Sequence, residues 1–188
     1  MPGRTDFALR PMTEADLELV LSWRNSKRIR DISYTDHVIS MAEHRAWFVR
    51  TAQDKSSLHF IFEYTGRPIG VVNITKINHE DKSCTWGFYL GETNLPKGCG
   101  SAMGFFALEC MFERMFMHDI TGEAFAFNEE SLAFHKRLGF VEESRKIGGI
   151  VKNGKSEDII IMRLSKESWM KIKPQLEKKF FTDRSCHV

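Results

Sequence analysis

Apolar and polar positions divide the chain into two differently patterned halves. In the first, Phe7-Ala8-Leu9-Arg10 reads as a short strand closed by Pro11. Thr13 followed by Glu14 and Asp16 marks a helix start: a capping hydroxyl, then acids beside the positive end of the helix dipole. Leu17, Val20, Leu21 and Arg24 then fall on one helical face. Ser40 predicts the cap of a second helix, with Glu43 at the capping-box position and Trp47 and Phe48 as packing anchors. Residues 58–64 alternate as a strand, Thr65-Gly66-Arg67-Pro68 is turn chemistry, and the β-branched run 69–77 returns as its partner. A polar turn at 78–82 leads into a further strand at 83–90. Two helices followed by an antiparallel meander is the expectation for this half.

The second half is dominated by residues 100–117, apolar nearly all round apart from Glu109, Glu113 and Arg114, which predicts a largely buried helix. A strand at 120–127 follows. Asn128-Glu129-Glu130-Ser131 then turns the chain into a short helix ending at Leu138-Gly139, where the glycine suits a C-terminal cap. Strands at 140–150 and 157–164 flank Lys152-Asn153-Gly154-Lys155, a strong hairpin signal. Residues 166–180 read as a basic helical tail. The expected organisation is one α/β domain at 1–165 and a C-terminal tail at 166–188, without internal repeats or a low-complexity linker.

Composition narrows the function classes. Hydrophobic residues make up 42% of 188, enough for a sizeable core, and the net charge of +2 gives little support for nucleic-acid binding. Cys84, Cys99, Cys110 and Cys186 show no C-x-x-C pair and no metal-like clustering, so reduced thiols in a cytoplasmic protein, with no metal site, are expected. The first ten residues hold no long apolar stretch, and no run approaches the roughly 18 apolar residues of a membrane span.

Leu95-Pro96-Lys97-Gly98-Cys99-Gly100-Ser101-Ala102 carries the first chemistry. It follows a strand and opens the apolar helix, so it offers unpaired main-chain N–H groups at the positive end of a helix dipole. Gly98 and Gly100 let the backbone approach an anion closely. Taken alone, a plain turn before a helix explains the loop equally well. Downstream, 128–140 reads Asn-Glu-Glu-Ser-Leu-Ala-Phe-His-Lys-Arg-Leu-Gly-Phe. With the order of elements, these two stretches resemble the GNAT family of N-acetyltransferases over roughly residues 7 to 164. The family's signature Gln/Arg-x-x-Gly-x-Gly/Ala appears with Leu95 in place of the leading Gln or Arg, and Pro96 brings no N–H.

The resemblance implies an α/β GNAT fold, a mixed central sheet of about seven strands flanked by helices, with acetyl-CoA as co-substrate. It places the diphosphate on Lys97, Gly98, Cys99, Gly100, Ser101 and Ala102, with Lys97 as counter-charge and Asn128 beside the cofactor. The pantetheine arm would enter between strands 85–90 and 120–127, against Gly87, Phe88, Tyr89 and Leu90. At the position of the family's usual Tyr stands His135, whose imidazolium would protonate the departing thiolate. The competing reading is a histidine that packs or caps a small helix.

A third set points to the acceptor. Ser22-Trp23-Arg24-Asn25, Tyr34-Thr35-Asp36-His37, His44, Trp47, Asn73-Ile74-Thr75-Lys76-Ile77-Asn78 and Trp86-Gly87-Phe88-Tyr89 together resemble the branch that acetylates an amino sugar in pseudaminic acid synthesis. There the acceptor is the 4-amino group of UDP-4-amino-4,6-dideoxy-N-acetyl-β-L-altrosamine. Arg24, His44, Asn73, Thr75, Lys76 and Tyr89 are the substrate-binding expectation, the cations and ring suiting a UDP group. Arg24 paired with a carboxylate, and Trp23, Trp47 and Trp86 in the core, are the alternatives. Arg28 and Arg30 either flank the acceptor entrance or are solvated. Other acceptors fit the same family: a protein N-terminus, the Trp-Arg-Asn run being shared with ribosomal-protein alanine acetyltransferases, or an antibiotic, which would need an acidic site. A non-catalytic acyl-CoA-binding module and a sheet-edge homodimer also stay open.

Overall fold

The computed structural model describes residues 2–181. Its centre is one seven-stranded sheet in the order β1-β2-β3-β4-β5-β7-β6. The strands are β1 (Phe7–Pro11), β2 (Leu58–Tyr64), β3 (Arg67–Asn78), β4 (Ser83–Leu90), β5 (Asp119–Phe125), β6 (Val141–Lys152) and β7 (Lys155–Ser165). As the alternation predicts, β2 to β4 form an antiparallel meander, and β1 pairs antiparallel with β2 across the intervening helices. The Asn153-Gly154 turn takes positive φ at both residues, 49° and 75°, and closes the β6–β7 hairpin.

The junction of the two halves is the one parallel pairing, β4 with β5, and it is short. It runs from Ser83↔Asp119 to Trp86↔Gly122 and stops. Beyond it, β4 stays on β3 as far as Gly70↔Leu90, while β5 stays on β7 as far as Phe125↔Ile159. Each strand keeps its antiparallel partner, so the ends of β4 and β5 part and the sheet splits.

Helices cover both faces. On one side lie α1 (Leu17–Asn25), α2 (Lys27–Arg30) and α3 (Met41–Ala52), over a core of Leu17, Val20, Trp23, Ile29, Ile61 and Val71. Ser40 caps α3 by accepting from the Glu43 N–H at 3.2 Å, but the Glu43 carboxylate turns to His37 instead of closing a capping box. On the other side, α4 (Cys99–Glu109) crosses from β4 to β5, joined by α5 (Glu129–Arg137) and α6 (Lys166–Phe180). Phe105, Leu108, Met111 and Phe112 are fully buried there. The predicted helix over 100–117 is shorter: it widens into a π-helical turn at Cys110–Arg114, and Phe116 at φ 59° ends the segment.

The segment read as a basic tail is α6, and its apolar face is part of the core. Ser165 caps it, and Trp169, Leu176 and Phe180 are buried. Trp169 packs on Phe105 and Phe112, and its indole N–H donates to Glu113 at 3.1 Å. Residues 182–188, Cys186 among them, lie outside the described residues. Burial raises the thiol pKa of Cys84, to about 12, and those of Cys99 and Cys110 also rise, which disfavours their reactive thiolate forms. At the sheet edge β6 is exposed but interrupted by two bulges, which blunts it against strand addition.

Replacing Trp169 with alanine should destabilise the whole domain by about 3–5 kcal/mol, the cost of emptying a large aromatic site. Urea unfolding should show this as a lower midpoint with an unchanged slope.

Candidate active site

The split in the sheet opens a cleft of about 710 Å³ between the ends of β4 and β5. Its walls bring together Phe88, Tyr89 and Leu90 of β4, Gly98, Cys99, Gly100 and Ser101 of the following loop and helix, Asn128 and His135 of the α5 region, and Arg24 and Asn73. Among the described residues, the main chain of β4 beyond Trp86 has no strand partner on this side. Arg28 reaches over from α2 and donates to the carbonyls of Leu90 and Gly91, both at 2.9 Å, pinning the end of the strand.

The loop before α4 is built as an anion cradle. Gly98 sits at φ 102°, a conformation that a side chain would strain, and directs the chain into the helix. The N–H of Ala102 donates to the Gly98 carbonyl at 2.9 Å, and that of Cys99 to Pro96 at 3.4 Å. This narrows the expected donor set. Among the described residues, the N–H groups of Lys97, Gly98, Gly100 and Ser101 have no hydrogen-bond partner, while those of Cys99 and Ala102 are used internally. Side chains follow the same division: Cys99 and Ala102 are buried in the core, and Lys97 is exposed. Four free amides at the start of an 11-residue helix suit a diphosphate.

His135 is almost wholly buried, edge-on to Trp86 and Phe140 and tilted against Phe88. Its Nδ1 lies 2.8 Å from the Ser131 carbonyl, an acceptor only, so the ring proton belongs on Nδ1 and Nε2 is left with a lone pair. Burial lowers the imidazole pKa below its ordinary value, against a smaller opposing effect of the Ser131 bond. Burial therefore favours the neutral ring over the imidazolium in the resting protein.

Several expected substrate ligands sit outside the cleft wall. His44 is buried under Trp47, their rings stacked at 5.2 Å, with its pKa lowered by burial. Thr75 spends its hydroxyl on the Thr85 carbonyl at 3.4 Å, inside the sheet. Lys76, at φ 51° on a bulge of β3, turns to Glu123 at 3.3 Å. Glu123 also meets Lys146 at 3.4 Å and accepts the Tyr34 hydroxyl at 2.7 Å. Asn73 does line the cleft, with its amide oxygen 2.7 Å from His59 Nδ1.

Arg24 stands apart. It lines the cleft partly buried, has no carboxylate partner among the described residues, and its buried Nη1 has no hydrogen-bond partner. Burial lowers its pKa, with Tyr89 opposing the shift. Pairing with a carboxylate, the alternative left open by the residue pattern, does not occur. Of the tryptophans with core packing as their alternative, Trp23 and Trp86 are buried as core residues and Trp47 is half-buried.

The structure adds cleft residues that were not expected as site groups: Glu123, Ser131 and Arg137. Trp86 stood in the stretch that resembles an acceptor-binding set, with core packing as its alternative, and it is both buried and on the cleft wall. The Tyr34–Glu123 contact spans 89 positions and leaves no local trace.

A split sheet with an amide cradle at its mouth defines an acyl-CoA transferase. Residues 6–141 match the family described as the acetyltransferase (GNAT) domain. The chain belongs to that family and is an acetyl-CoA-dependent N-acetyltransferase. It is 20% identical to the spermidine N(1)-acetyltransferase of Escherichia coli K12 over 170 residues, 90% of this chain and 91% of the relative. Spermidine N-acetyltransferase of Vibrio cholerae, solved with CoA and spermine, superposes with a TM-score of 0.82 at 20% identity, covering 88% of this chain and 99% of that one. A dodecameric structure of the Vibrio cholerae protein gives 0.76 at 20% identity, covering 88% and 97%.

A Gly100→Val substitution should weaken CoA binding by about tenfold or more, or about 1.4 kcal/mol, measured by calorimetry. A Cβ at this position meets only Leu90 Cδ1, at 3.7 Å, so the thermal midpoint should hold.

Proposed function

We propose that the protein acetylates an amine on a nucleotide-linked amino-deoxy sugar, a UDP-4-amino sugar of the pseudaminic acid type. One observation carries this reading: the partnerless guanidinium of Arg24 on the cleft wall. A partly buried charge without a counter-ion is costly, and an anionic substrate group relieves that cost. The planar fork suits diphosphate oxygens bidentately. Asn73 and Tyr89 share the cleft with it and supply polar and stacking contacts for the nucleotide.

A polyamine acceptor, which the names of the relatives suggest, fits this cleft less well. Of its two acidic residues, Glu123 is already neutralised by Lys76 and Lys146. Arg24, Arg28 and Arg137 line the same space and repel a polycation.

Acetyl-CoA supplies an acetyl thioester. The Gly98, Gly100 and Ser101 amides hold its diphosphate, and the free edge of β4 at Gly87–Leu90 pairs with its arm like an added strand. A β4 N–H near Phe88 to Leu90 polarises the reacting carbonyl and takes the negative charge that develops on its oxygen. Arg24 anchors the sugar nucleotide so that its neutral amine meets that carbon, and much of the acceleration comes from this fixed approach.

Turnover of a UDP-4-amino sugar should exceed that of spermidine, followed as CoA thiol release with product mass. Arg24→Ala should raise KM for the sugar nucleotide roughly 10- to 100-fold, the worth of one or two charge-assisted hydrogen bonds. Arg24→Lys should recover part of that loss, keeping the charge but not the fork. Preferred acetylation of spermidine, undisturbed or improved by Arg24→Ala, would refute the reading.

A further inference from the structure

Three positions line up across the sheet on the face that carries α1 to α3. His59 of β2 pairs with Asn73 of β3, and Asn73 pairs with Gly87 of β4. Alternate positions along a strand share a face, and the neighbouring row Ile61, Val71 and Tyr89 belongs to the core beneath α1 and α3. Beyond Gly87 the sheet splits: the last shared rung is Trp86↔Gly122, and the next residue of β5, Glu123, lines the cleft. Gly87 is exposed, and a Cβ there would meet nothing within 4 Å. The strand is therefore bare between Asn73 on one side and Glu123 on the other.

The amide of Asn73 is held at one end only. Its Oδ1 lies 2.7 Å from His59 Nδ1, and an amide oxygen can only accept, so the ring proton belongs on Nδ1. His59 packs against Trp47, ring centroids 4.7 Å apart, and its Nε2 is buried with no partner among the described residues. A buried acceptor without a partner is tolerated more readily than a buried donor without one, which favours the same tautomer. Burial lowers the His59 pKa, with the Asn73 bond opposing, so the resting ring carries one proton. Asn73 Nδ2, by contrast, makes no hydrogen bond among the described residues and is not a buried atom.

We propose that His59 is a positioning residue for Asn73: it holds the amide oxygen away from the cleft, so that the NH2 group donates to an uncharged oxygen of the acceptor, a hydroxyl or carbonyl, lying over Gly87. The held amide stands on the geometry, whereas the identity of that oxygen rests on the nucleotide-sugar reading above. The orientation carries selectivity. Both N–H groups face the ligand, and a polyamine offers them only further donors. Turned over, the same amide would present its oxygen and accept from an ammonium. His59 thus fixes which of two opposite hydrogen-bonding characters the cleft shows, without itself touching the ligand.

The test has two arms. The first is 15N NMR of the unmodified full chain with labelled histidine, above the ordinary histidine pKa of about 6.5, the His59 signals being assigned by their loss in His59→Phe. We expect the proton on Nδ1 and an unprotonated Nε2. The second is a double-mutant cycle with the UDP-4-amino sugar. Asn73→Leu and His59→Phe should each raise KM roughly tenfold, the worth of one well-placed hydrogen bond, with kcat and CoA affinity little changed. Because His59 acts through Asn73, the double variant should match Asn73→Leu within about twofold. A proton on Nε2 would mean that the amide donates to the ring and shows its oxygen to the cleft, and would overturn the proposal. Losses that multiply in the double variant, or that fall on kcat and CoA affinity instead of KM, would overturn it too, since they mark a merely structural histidine. The tautomer needs neither a variant that folds well nor an acceptor, so it judges the held amide even if the sugar is not turned over, an outcome that would count against the sugar reading alone.

Discussion

The parallel pairing of β4 with β5 is the constraint on which the site depends. It lasts four residue pairs because each strand is held on its outer edge by a longer antiparallel ladder. A sheet that twists between two such ladders opens where the shared rungs end. That opening creates a strand edge with free main-chain groups inside a protein, a feature normally covered or avoided. Ligand recognition by strand addition uses such an edge with little demand on side chains.

Around this split the remaining parts fall into register. The connection from β4 to β5 must cross the sheet, and it does so through α4, whose N-terminus therefore lies at the mouth of the cleft. Burial of α4 nearly all round fixes that terminus against the core, so its free amides are held in place. On the acceptor side, Arg28 ties α2 to the end of β4, and the Tyr34–Glu123 bond ties the next loop to β5. Lys152 extends the clamp: its ammonium donates to the Arg30 and Ser33 carbonyls at 2.9 and 2.8 Å, linking the β6–β7 hairpin to the loop after α2.

Much of the fold was legible in the residues because local signals agreed with one another. Alternation at 58–64, turn chemistry at Gly66 and Asn153-Gly154, and the hydroxyl cap at Ser40 each specify a local geometry that packing did not override. The glycine loop and the 128–140 block announced the family, since main-chain chemistry depends on glycines and helix starts that a linear reading can locate. What escaped was set by tertiary partners. Nothing local told that the Ala102 N–H was committed to the helix, that Lys76 would turn to Glu123, or that His44 would lie under Trp47. The setting of His135 escaped for the same reason: it depends on the Ser131 carbonyl and on an aromatic enclosure of Trp86, Phe88, Phe134 and Phe140.

The most direct test of the split-sheet site is a crystal structure of the protein with acetyl-CoA bound. We expect the diphosphate on the Gly98, Gly100 and Ser101 amides, with the arm lying along β4 between Gly87 and Leu90 and its thioester at the Trp86–Gly122 rung. A diphosphate bound elsewhere, or an arm that leaves the edge of β4 unpaired, would contradict it.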